Sequence, residues 1–373
     1  MTKPVRIAYF VHDAADPAVA RRIAMLRAAN GEITLFGFNR DRSAPDTVGG
    51  IPVIPLGRFA DGDFLSRILA VSWAMARSPR LAGMIGDADA ILARNLEALT
   101  VAAMVRRFAK HKPPLTYEIL DIHRLLSNLG WKGKAVRLVE RVLLGRCSLV
   151  ITSSPAFVRE HLRRYGRHLP EVMLVENKVL DPSGRLPAPA FRAAGPPWRV
   201  GWFGRLRCIK SLNALVELVR AAKGLLELDL RGWIELPIRD RFDAAIASSP
   251  HIKYGGHYSY ADLPAIYGQV HFAWSVDFFE EGQNSTLLLP NRIYEGLANG
   301  AVPIAIGSVE TGRWLARRGI GLVGEDLTEI ARKLETMTPK HYDTLTAAQA
   351  RLPAANFVTG EAECVELVAR MTR

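Results

Sequence analysis

The chain has 373 residues, of which 49% are apolar and 23% are charged, the proportions of an ordinary globular protein with room for two domains. Its three cysteines stand at unrelated spacings, which argues against a disulfide framework or a cysteine zinc site and favours a reducing compartment. The first residues are too short and strand-like for a signal peptide, and no apolar run reaches the roughly 18 residues of a transmembrane helix.

The net charge of +12 is concentrated in the first half of the chain. Up to Arg185 there are 28 Lys and Arg against 17 Asp and Glu, a net charge of +11, whereas the remainder is nearly neutral. Such a basic half is typical of proteins that bind nucleic acid, anionic lipid or a diphosphate-bearing substrate. Because no RRM, KH, zinc-finger or helix-turn-helix pattern is present, we expect no nucleic-acid partner.

Strands alternate with helices through the first half, which predicts a parallel sheet with right-handed crossovers. The predicted strands are 5–11, 33–38, 51–55, 90–93, 115–120, 149–152 and 172–175. The predicted helices are 17–26, 64–75, 99–109 and 135–144. The first of these helices has Asp16 as its N-cap and Pro17 as its first residue.

A segment rich in proline and glycine, 181–198, interrupts the alternation and reads as an interdomain linker. A second series follows, with predicted strands 199–203, 227–231, 252–254, 271–276, 302–306 and 321–323. We therefore expect an α/β protein of two Rossmann-like domains, 1–180 and 199–360. A terminal segment, 361–373, is predicted to be helical and could pack back onto the first domain.

The stretch from Pro290 to Ile306 is predicted to be a short helix, a glycine stop and a buried strand. Pro290 suits the first helical turn, and Gly300 suits the residue just past the helix end. A helix start can hold a phosphate, and Glu295 lies about 7 Å further along the axis, roughly the distance from a diphosphate to a ribose. Glu295 could therefore accept hydrogen bonds from ribose hydroxyls, although a surface glutamate on an amphipathic helix explains it as well.

A basic loop follows the predicted strand 199–203. It carries Arg205, Arg207 and Lys210 after Gly204, and Ser211 is expected to cap the next helix. Arg and Lys at the carboxyl end of a parallel strand are well placed to hold a diphosphate. A solvated basic loop is the alternative, and the loop lacks the G-x-G-x-x-G spacing of a dinucleotide site.

Four motifs now stand in order along the second half. They are Gly204-Arg205-Leu206 with Lys210, Arg231-Gly232-Trp233, Ile252-Lys253-Tyr254-Gly255-Gly256, and the helix, glycine and strand from Pro290 to Pro303. Together they resemble the carboxyl-terminal domain of GT-B glycosyltransferases, most closely the retaining group called family 4. The stretch from Glu281 to Ser285 further resembles exopolysaccharide-assembly members of the succinoglycan type. The resemblance implies a GT-B fold, two Rossmann-like domains whose parallel sheets face each other across a cleft.

The resemblance also implies roles for individual residues. Arg205 and Lys210 would clamp the nucleotide diphosphate, and Glu295 would bind the ribose. The family often carries a glutamate eight residues before Glu295, where Leu287 stands here. Glu280 or Glu281, or backbone N–H groups near Asn284 and Ser285, would contact the donor sugar instead. The same nucleotide-sugar site would include Gly204, Tyr254, Gly255, Asn284, Ser285, Asn291 and Arg292.

The first domain would then hold the acceptor and any general base. Two pairs of titratable side chains follow predicted strands and are candidate catalytic groups, Asp121 with His123 and His12 with Asp13. Capping and partly exposed surface positions explain these pairs almost as well. Arg94 and Asn95 could bind an acceptor phosphate, and a structural ion pair is an equal alternative for the arginine. In retaining enzymes of this type the leaving diphosphate itself helps to deprotonate the acceptor, so a protein base could be dispensable.

Neither a metal nor a cofactor is expected. No His, Cys and Asp cluster has ligand spacing, and the candidate pair Asp87 and Asp89 precedes a strand instead of following one. The nucleotide-sugar is then a substrate. The expected acceptor is a polyprenyl-diphosphate-linked or other glycan. A nucleotide-sugar 2-epimerase of the same architecture and a non-catalytic nucleotide- or lipid-binding scaffold are the alternatives.

Two helical stretches combine aromatic and basic residues, which suits an anionic membrane surface. One runs from Phe64 to Arg80, and the other, from Trp131 to Arg146, brackets an apolar face of Val136, Val139, Leu143 and Leu144. A core helix with a solvated basic face is the alternative for each. With the basic first half, they predict a cytoplasmic protein attached peripherally to the inner face of the membrane.

Overall fold

A computed structural model describes residues 3–40, 45–60, 64–122 and 130–373. The chain divides into two compact units. Unit 1 comprises Met1–Glu176, Leu180–Gly184 and Thr359–Arg373, and unit 2 comprises Asn177–Val179 and Arg185–Val358. The C-terminal helix thus belongs to unit 1, the unit that contains the N-terminal half.

Unit 1 is built on an eight-stranded sheet in the order β3-β4-β2-β1-β5-β6-β7-β8. Its strands are β1 Val5–Val11, β2 Gly31–Asn39, β3 Thr47–Val48, β4 Ile51–Arg58, β5 Ala90–Arg94, β6 Leu115–Ile119, β7 Leu149–Thr152 and β8 Glu171–Leu174. Short β3 pairs antiparallel with β4, and the other pairings of this sheet are parallel. Its helices are α1 Pro17–Ala28, α2 Phe64–Ala76, α3 Ser78–Ile85, α4 Asn95–Phe108, α5 Trp131–Leu144, α6 Pro155–Glu160 and the C-terminal α15 Glu361–Met371.

The sheet of unit 1 is covered on both faces, as its nearly continuous apolar strands require. Alternate residues of β1 enter different cores. Ala8 and Phe10 pack in the core that α2, α4 and α5 cover, whereas Ile7 and Tyr9 pack in the core that holds Cys364 of α15. The C-terminal helix is therefore part of a hydrophobic core of unit 1.

Unit 2 contains a six-stranded, all-parallel sheet in the order β12-β11-β10-β13-β14-β15. Its strands are β10 Trp198–Leu206, β11 Leu226–Ile234, β12 Ile252–Tyr254, β13 Phe272–Trp274, β14 Val302–Ile306 and β15 Leu322–Gly324. A separate two-stranded sheet pairs β9 Val179–Leu180 with β16 Val358–Thr359. The helices are α7 Ile209–Ala221, α8 Arg239–Ser248, α9 Leu263–Tyr267, α10 Asn284–Leu287, α11 Asn291–Ala298, α12 Glu310–Arg318, α13 Leu327–Glu335 and α14 Pro339–Ala350.

Several local predictions are confirmed and others are wrong. Asp16 caps α1 by accepting a hydrogen bond from the Ala18 N–H at 2.9 Å. Ser211 does not cap α7, since it lies inside the helix and its N–H donates to the Sγ of the N-cap Cys208 at 3.5 Å. Pro290 is the N-cap of α11, one position before the first helical turn in which it was expected. Among the described residues, no helix is long and apolar enough to cross a bilayer.

Candidate functional site

The ends of β10 and β11 approach each other unusually closely at the carboxyl edge of the unit 2 sheet. Gly204 and Gly232 are register partners, both with positive φ, and a Cβ on Gly232 would lie 2.0 Å from the Gly204 carbonyl oxygen. Only glycine fits there. The Tyr254 hydroxyl donates to the Gly232 carbonyl at 2.7 Å, and the Gly255 N–H donates to the Leu230 carbonyl at 2.9 Å. These contacts fix the edge that carries the basic loop.

Each of the two predicted diphosphate cations is paired with a carboxylate on the protein surface. The Arg205 Nε donates to Glu235 Oε1 at 2.8 Å, and the Lys210 Nζ donates to both Glu281 oxygens at 2.8 and 2.7 Å. Lys210 also lies 4.4 Å from the centre of the Phe278 ring. Exposed pairs of this kind contribute only about 0–1 kcal/mol, so a diphosphate can displace the carboxylates at little cost.

Helix α11 begins at Asn291, directly after its N-cap Pro290, and ends in a Schellman motif. The Ala301 N–H donates to the Gly296 carbonyl at 2.9 Å, and Gly300 has φ +82°, as the glycine stop predicted. At the other end Asn291 is exposed, and the Arg292 guanidinium donates to the Trp274 carbonyl at 3.1 Å. The N-cap of α11 is a proline, so no side chain of the cap residue accepts a hydrogen bond from the first N–H groups of this helix.

Glu295 shares a polar corner with two tyrosines. The Tyr267 hydroxyl donates to Glu295 Oε2 at 3.1 Å. Burial, and then the charge of Glu295, raise the pKa of Tyr267 and of Tyr258 above the usual range, so both remain neutral donors. A Cβ on Gly204 would lie 3.9 Å from the Tyr258 hydroxyl oxygen. Tyr258 is thus close enough to Glu295 to be affected by its charge and also lies near the edge that carries Arg205.

The loop before α11, which includes the short helix α10, is held by its own side chains. The Asn284 amide donates to Glu280 Oε2 at 2.7 Å, and the Glu280 N–H donates to the Ser285 hydroxyl at 2.8 Å. Both Asn284 and Ser285 are buried. Their side chains shape the loop, whereas Glu281 next to them lies at its surface on Lys210.

In unit 1, three predicted residues follow neighbouring strands of the sheet. His12 follows β1, Asn95 follows β5 and Asp121 follows β6, and these strands are adjacent in the order β1-β5-β6. The structure therefore brings these positions to one edge. Asp121 is exposed there. His123, the predicted partner of Asp121, lies outside the described residues.

His12 is buried, and burial, then the charge of Arg40, lower its pKa to about 4, so the imidazole is neutral at pH 7. In the described part of the chain, its Nδ1 and the Oδ1 of Asn95 are buried atoms without a hydrogen-bond partner. Asn95 also has φ +66°, a conformation that costs energy in a residue other than glycine. The neighbouring Asp13 accepts a hydrogen bond from the Ala15 N–H at 3.0 Å and pairs with Arg40 at 3.8 Å.

Arg94 lies beneath this edge and is only 1% exposed. Its guanidinium donates to Glu118 at 2.8 Å, to Asp16 at 3.2 Å and to the Ala18 carbonyl at 3.1 Å. Burial alone would raise the pKa of Glu118, but Arg22 and Arg94 outweigh it and hold the value at about 2. Arg94 therefore takes part in the structural ion pair that was the alternative to an acceptor phosphate.

Asp87 and Asp89 both contact Arg6. The Asp87 carboxylate pairs with its guanidinium at 3.5 Å, and the Asp89 carboxylate accepts its backbone N–H at 2.8 Å. Among the residues that the structure describes, no three His, Cys, Asp or Glu side chains form a group that could hold a metal ion.

Comparison with known proteins gives two sequence findings. Residues 14–178 match the family described as Glycosyl transferase 4-like domain. The whole chain is similar to Succinoglycan biosynthesis protein ExoL of Rhizobium meliloti (strain 1021), with 41% identity over 375 residues, covering 98% of this chain and 93% of that protein. The chain belongs to the family 4-like glycosyltransferases. The family predicted from the four motifs is confirmed.

Solved structures confirm the fold of this glycosyltransferase. Sucrose-phosphate synthase from Thermosynechococcus elongatus superposes with a TM-score of 0.73 at 17% identity, and the match covers 97% of each chain. HepE of Anabaena, solved in complex with UDP, superposes with a TM-score of 0.68 at 15% identity, covering 98% of each chain. The glycosyltransferase therefore has the predicted GT-B fold, an α/β architecture with two main parallel sheets.

The two tyrosines at Glu295 were missed by the sequence reasoning. Tyr258 lies in a loop and Tyr267 ends a five-residue helix, so neither belongs to a periodic pattern that points at α11. A usable signal was the position of Tyr258 two residues after the Gly255-Gly256 pair, just past the end of a predicted parallel strand, where ligands bind.

Proposed function

We propose that this glycosyltransferase moves a sugar from a nucleoside diphosphate sugar to a lipid-linked or other glycan acceptor in exopolysaccharide synthesis. The observation that supports this function best is the carboxyl edge of the unit 2 sheet, with Arg205 near the end of β10, Lys210 in the first turn of α7, and the Glu295–Tyr267 pair that joins α9 to α11. Two relatives support the choice of substrates. HepE was solved in complex with UDP-glucose, which favours a UDP-sugar, and the name of ExoL favours succinoglycan-type synthesis.

In this proposal the donor binds along the carboxyl edge of the unit 2 sheet. The diphosphate takes the place of Glu235 on Arg205 and of Glu281 on Lys210, and the first N–H groups of α11, at Asn291 and Arg292, add a partial positive charge. Glu295 accepts hydrogen bonds from the ribose hydroxyls. Gly204 in β10 has no side chain, and neither does Gly255 just after Tyr254 of β12, so the nucleotide can approach the backbone closely at the ends of these strands.

The donor sugar would meet the loop that precedes α11. Displaced from Lys210, the Glu281 carboxylate becomes available to accept hydrogen bonds from sugar hydroxyls. Asn284 and Ser285 support this contact, since they hold the loop through Glu280 and do so while buried. In this way the loop compensates for the glutamate that relatives carry where Leu287 stands.

The chemistry is a displacement at the anomeric carbon. An acceptor hydroxyl forms the new C–O bond, the bond to the diphosphate breaks, and the hydroxyl proton passes to a diphosphate oxygen or to a protein base. We propose retention of configuration and no metal, because Arg205, Lys210 and the α11 terminus can neutralise the leaving diphosphate.

We assign the acceptor to the edge formed by His12, Asn95 and Asp121. The neutral His12 ring and the buried Asn95 carbonyl both offer hydrogen-bond capacity that an acceptor hydroxyl could use. Asp121, with His123 two residues further on, is the candidate proton acceptor, and Asp13, next to His12, is the other. Arg94, the last residue of β5, acts from below by fixing the start of α1 next to the strand end that leads into Asn95.

The protein is further proposed to work on the cytoplasmic face of the membrane, where a polyprenyl-linked acceptor would be met. Its basic first half, with a net charge of +11 up to Arg185, supports attachment to an anionic surface.

A release assay tests the proposal. The protein is mixed with UDP- and GDP-sugars, with and without lipid extract from polysaccharide-producing bacteria, and nucleoside diphosphate is measured. We expect release from one donor that rises when the extract is added. No release and no binding with every donor would refute the proposal. Donor epimerisation without acceptor would identify a 2-epimerase, and nucleotide binding without transfer would identify a scaffold.

A further inference from the structure

Two helices of unit 1 present large apolar side chains to solvent. Helix α2 exposes Ile68, Leu69 and Trp73, with Leu69 62% exposed, and α5 exposes Trp131, Leu138 and Val142, with Trp131 75% exposed. These six side chains are called the docking face below. The prediction that Leu143 and Leu144 belong to such a face is wrong, because both are buried in the core.

Each helix has a separate side for the core. Ala70 and Ala74 of α2 pack in the core of unit 1, and so does Leu143 of α5, so the exposed stripes are not needed to hold these helices on the sheet. At 3.6 residues per turn, positions 131, 138 and 142 fall on one side of α5. Both helices pack against α4, which places the two stripes on the same face of the sheet.

The charges that the two helices expose have one sign. Arg67 of α2 is largely buried in a pair with Glu97 at 3.0 Å. The sequence of α2 contains no Asp or Glu. Helix α5 contains a single acidic residue, Glu140, and this carboxylate is fully buried, where it accepts hydrogen bonds from Tyr117 at 3.1 Å and from Tyr165 and lies 3.0 Å from His161 Nε2. The exposed charges of α5 are therefore the cations Lys132, Lys134 and Arg141.

Cations also stand directly beside the two exposed tryptophans. The Arg77 guanidinium lies 4.1 Å from the centre of the Trp73 ring, and the Lys132 ammonium lies 5.7 Å from the centre of the Trp131 ring. Tryptophan suits the boundary between headgroups and hydrocarbon, and a cation next to it can reach the lipid phosphates. A second copy of this chain is a poor occupant, because a two-fold contact through the same face would oppose like charges.

We propose that the docking face binds the surface of an anionic lipid bilayer, with Trp73 and Trp131 in the headgroup layer. This inference adds a membrane-binding surface to the proposed function, and it depends on that function only in assuming that the acceptor is linked to a lipid. Helices α2 and α5 follow β4 and β6, so both begin at the carboxyl edge of the sheet, the edge that carries His12, Asn95 and Asp121. Docking therefore brings the acceptor edge to the headgroup layer, where a diphosphate-linked sugar on a lipid would be presented.

The test is co-sedimentation of the full-length protein with vesicles. One set contains phosphatidylcholine alone, and the other contains equal parts of phosphatidylcholine and phosphatidylglycerol. We expect binding to the anionic vesicles only, weakened by added salt. Changing Leu69→Gln together with Trp73→Gln should lower the partition coefficient more than about tenfold, because this removes exposed apolar area that the bilayer would bury.

Two further variants sharpen the test. Changing Lys134→Gln and Arg141→Gln should lower binding by roughly fivefold per cation. Leu236→Gln is the matched control, since Leu236 is an exposed apolar residue of unit 2 outside the docking face, and its binding should equal that of the wild type. All of these side chains are exposed, so circular dichroism should show that each variant folds.

Several outcomes would overturn the docking face. These are equal binding to both vesicle types, no binding by the wild type, full binding by the Leu69 and Trp73 double variant, or a dimer that this variant dissociates. UDP binding is measured by calorimetry on the same proteins. Retained UDP binding with no vesicle binding refutes the docking face alone, whereas vesicle binding with no nucleotide binding refutes the proposed function alone.

Discussion

Changing Glu295→Ala should weaken UDP binding by about a hundredfold. The carboxylate is half-buried and already accepts one hydrogen bond from Tyr267, and ribose would add two more from its hydroxyls. Hydrogen bonds to a charged group contribute about 1.5–3 kcal/mol each, and partial solvation favours the lower end, so about 3 kcal/mol is lost. Glu295→Gln keeps one acceptor oxygen and should cost about tenfold.

Calorimetry with two ligands separates a ribose contact from a general effect. The wild type should bind UDP more tightly than 2′-deoxy-UDP, whereas the Glu295→Ala variant should bind both equally. Removing the carboxylate also leaves the Tyr267 hydroxyl without this acceptor, which should cost about 1–2 kcal/mol of folding stability and leave the protein folded. Glu335→Ala, at an exposed glutamate of α13, is the control. A variant that keeps the preference for UDP would refute the ribose role.

Three further predictions concern charged groups. Glu281→Gln should strengthen UDP binding, by at most about fivefold, because Lys210 no longer has a competing carboxylate; weaker UDP binding in calorimetry would contradict this. Arg94→Met should lower the free energy of unfolding, measured by urea denaturation, by about 3 kcal/mol, because the buried Glu118 carboxylate loses one of the positive charges that compensate it. An unchanged urea midpoint would contradict the buried ion pair. Glu118 has its pKa lowered to about 2 from an ordinary 4.5, so its stabilising contribution is complete above pH 4.5 and is lost as the pH falls towards 2. Between pH 4.5 and 2, the free energy of unfolding should therefore fall less steeply with decreasing pH in Glu118→Gln than in the wild type. Equal slopes would argue against this role of Glu118.

Much of the architecture follows from short-range rules that the sequence displays. The apolar runs of β1 and β14 read as buried parallel strands, and Gly300 ends α11 where a left-handed residue was required. Helix α8 was missed, because only Phe242 and Ala245 of its ten residues are buried and its sequence shows little apolar periodicity. Periodic patterns reveal helices with a wide apolar stripe, and α8 has none.

The orientation of a helix is harder to read than its existence. The sequence predicted the helix 64–75, in which Leu65, Ile68, Leu69 and Trp73 recur at helical spacing, and the structure turns these side chains to solvent while small Ala70 and Ala74 face the core. Periodicity gives the stripe but not its direction, since both a core and a membrane can bury it. Only tertiary packing against α4 decides.

Several residues of the candidate site were likewise predicted from the sequence, but their contacts were not. Motif positions predicted Gly204, Arg205 and Lys210 from their places at the end of β10 and the start of α7, and Glu295 from its place one turn into α11. The carboxylate partners of the two cations could not be read from the sequence, since Glu235 and Glu281 lie 30 and 71 residues away from them. Likewise, the burial of Arg94 depends on Glu118, which is contributed by another strand.

Mass spectrometry of the reaction products tests the central claim most directly. The protein is incubated with UDP-glucose and lipid extract, and the lipid fraction is compared with one from a reaction with the Glu295→Ala variant. The proposed function predicts a lipid-linked glycan heavier by one hexose, formed together with an equal amount of UDP and much reduced with the variant. The proposal would be contradicted if the wild type bound UDP-glucose but no lipid or glycan gained a sugar from UDP-glucose or from any other nucleotide-sugar tried.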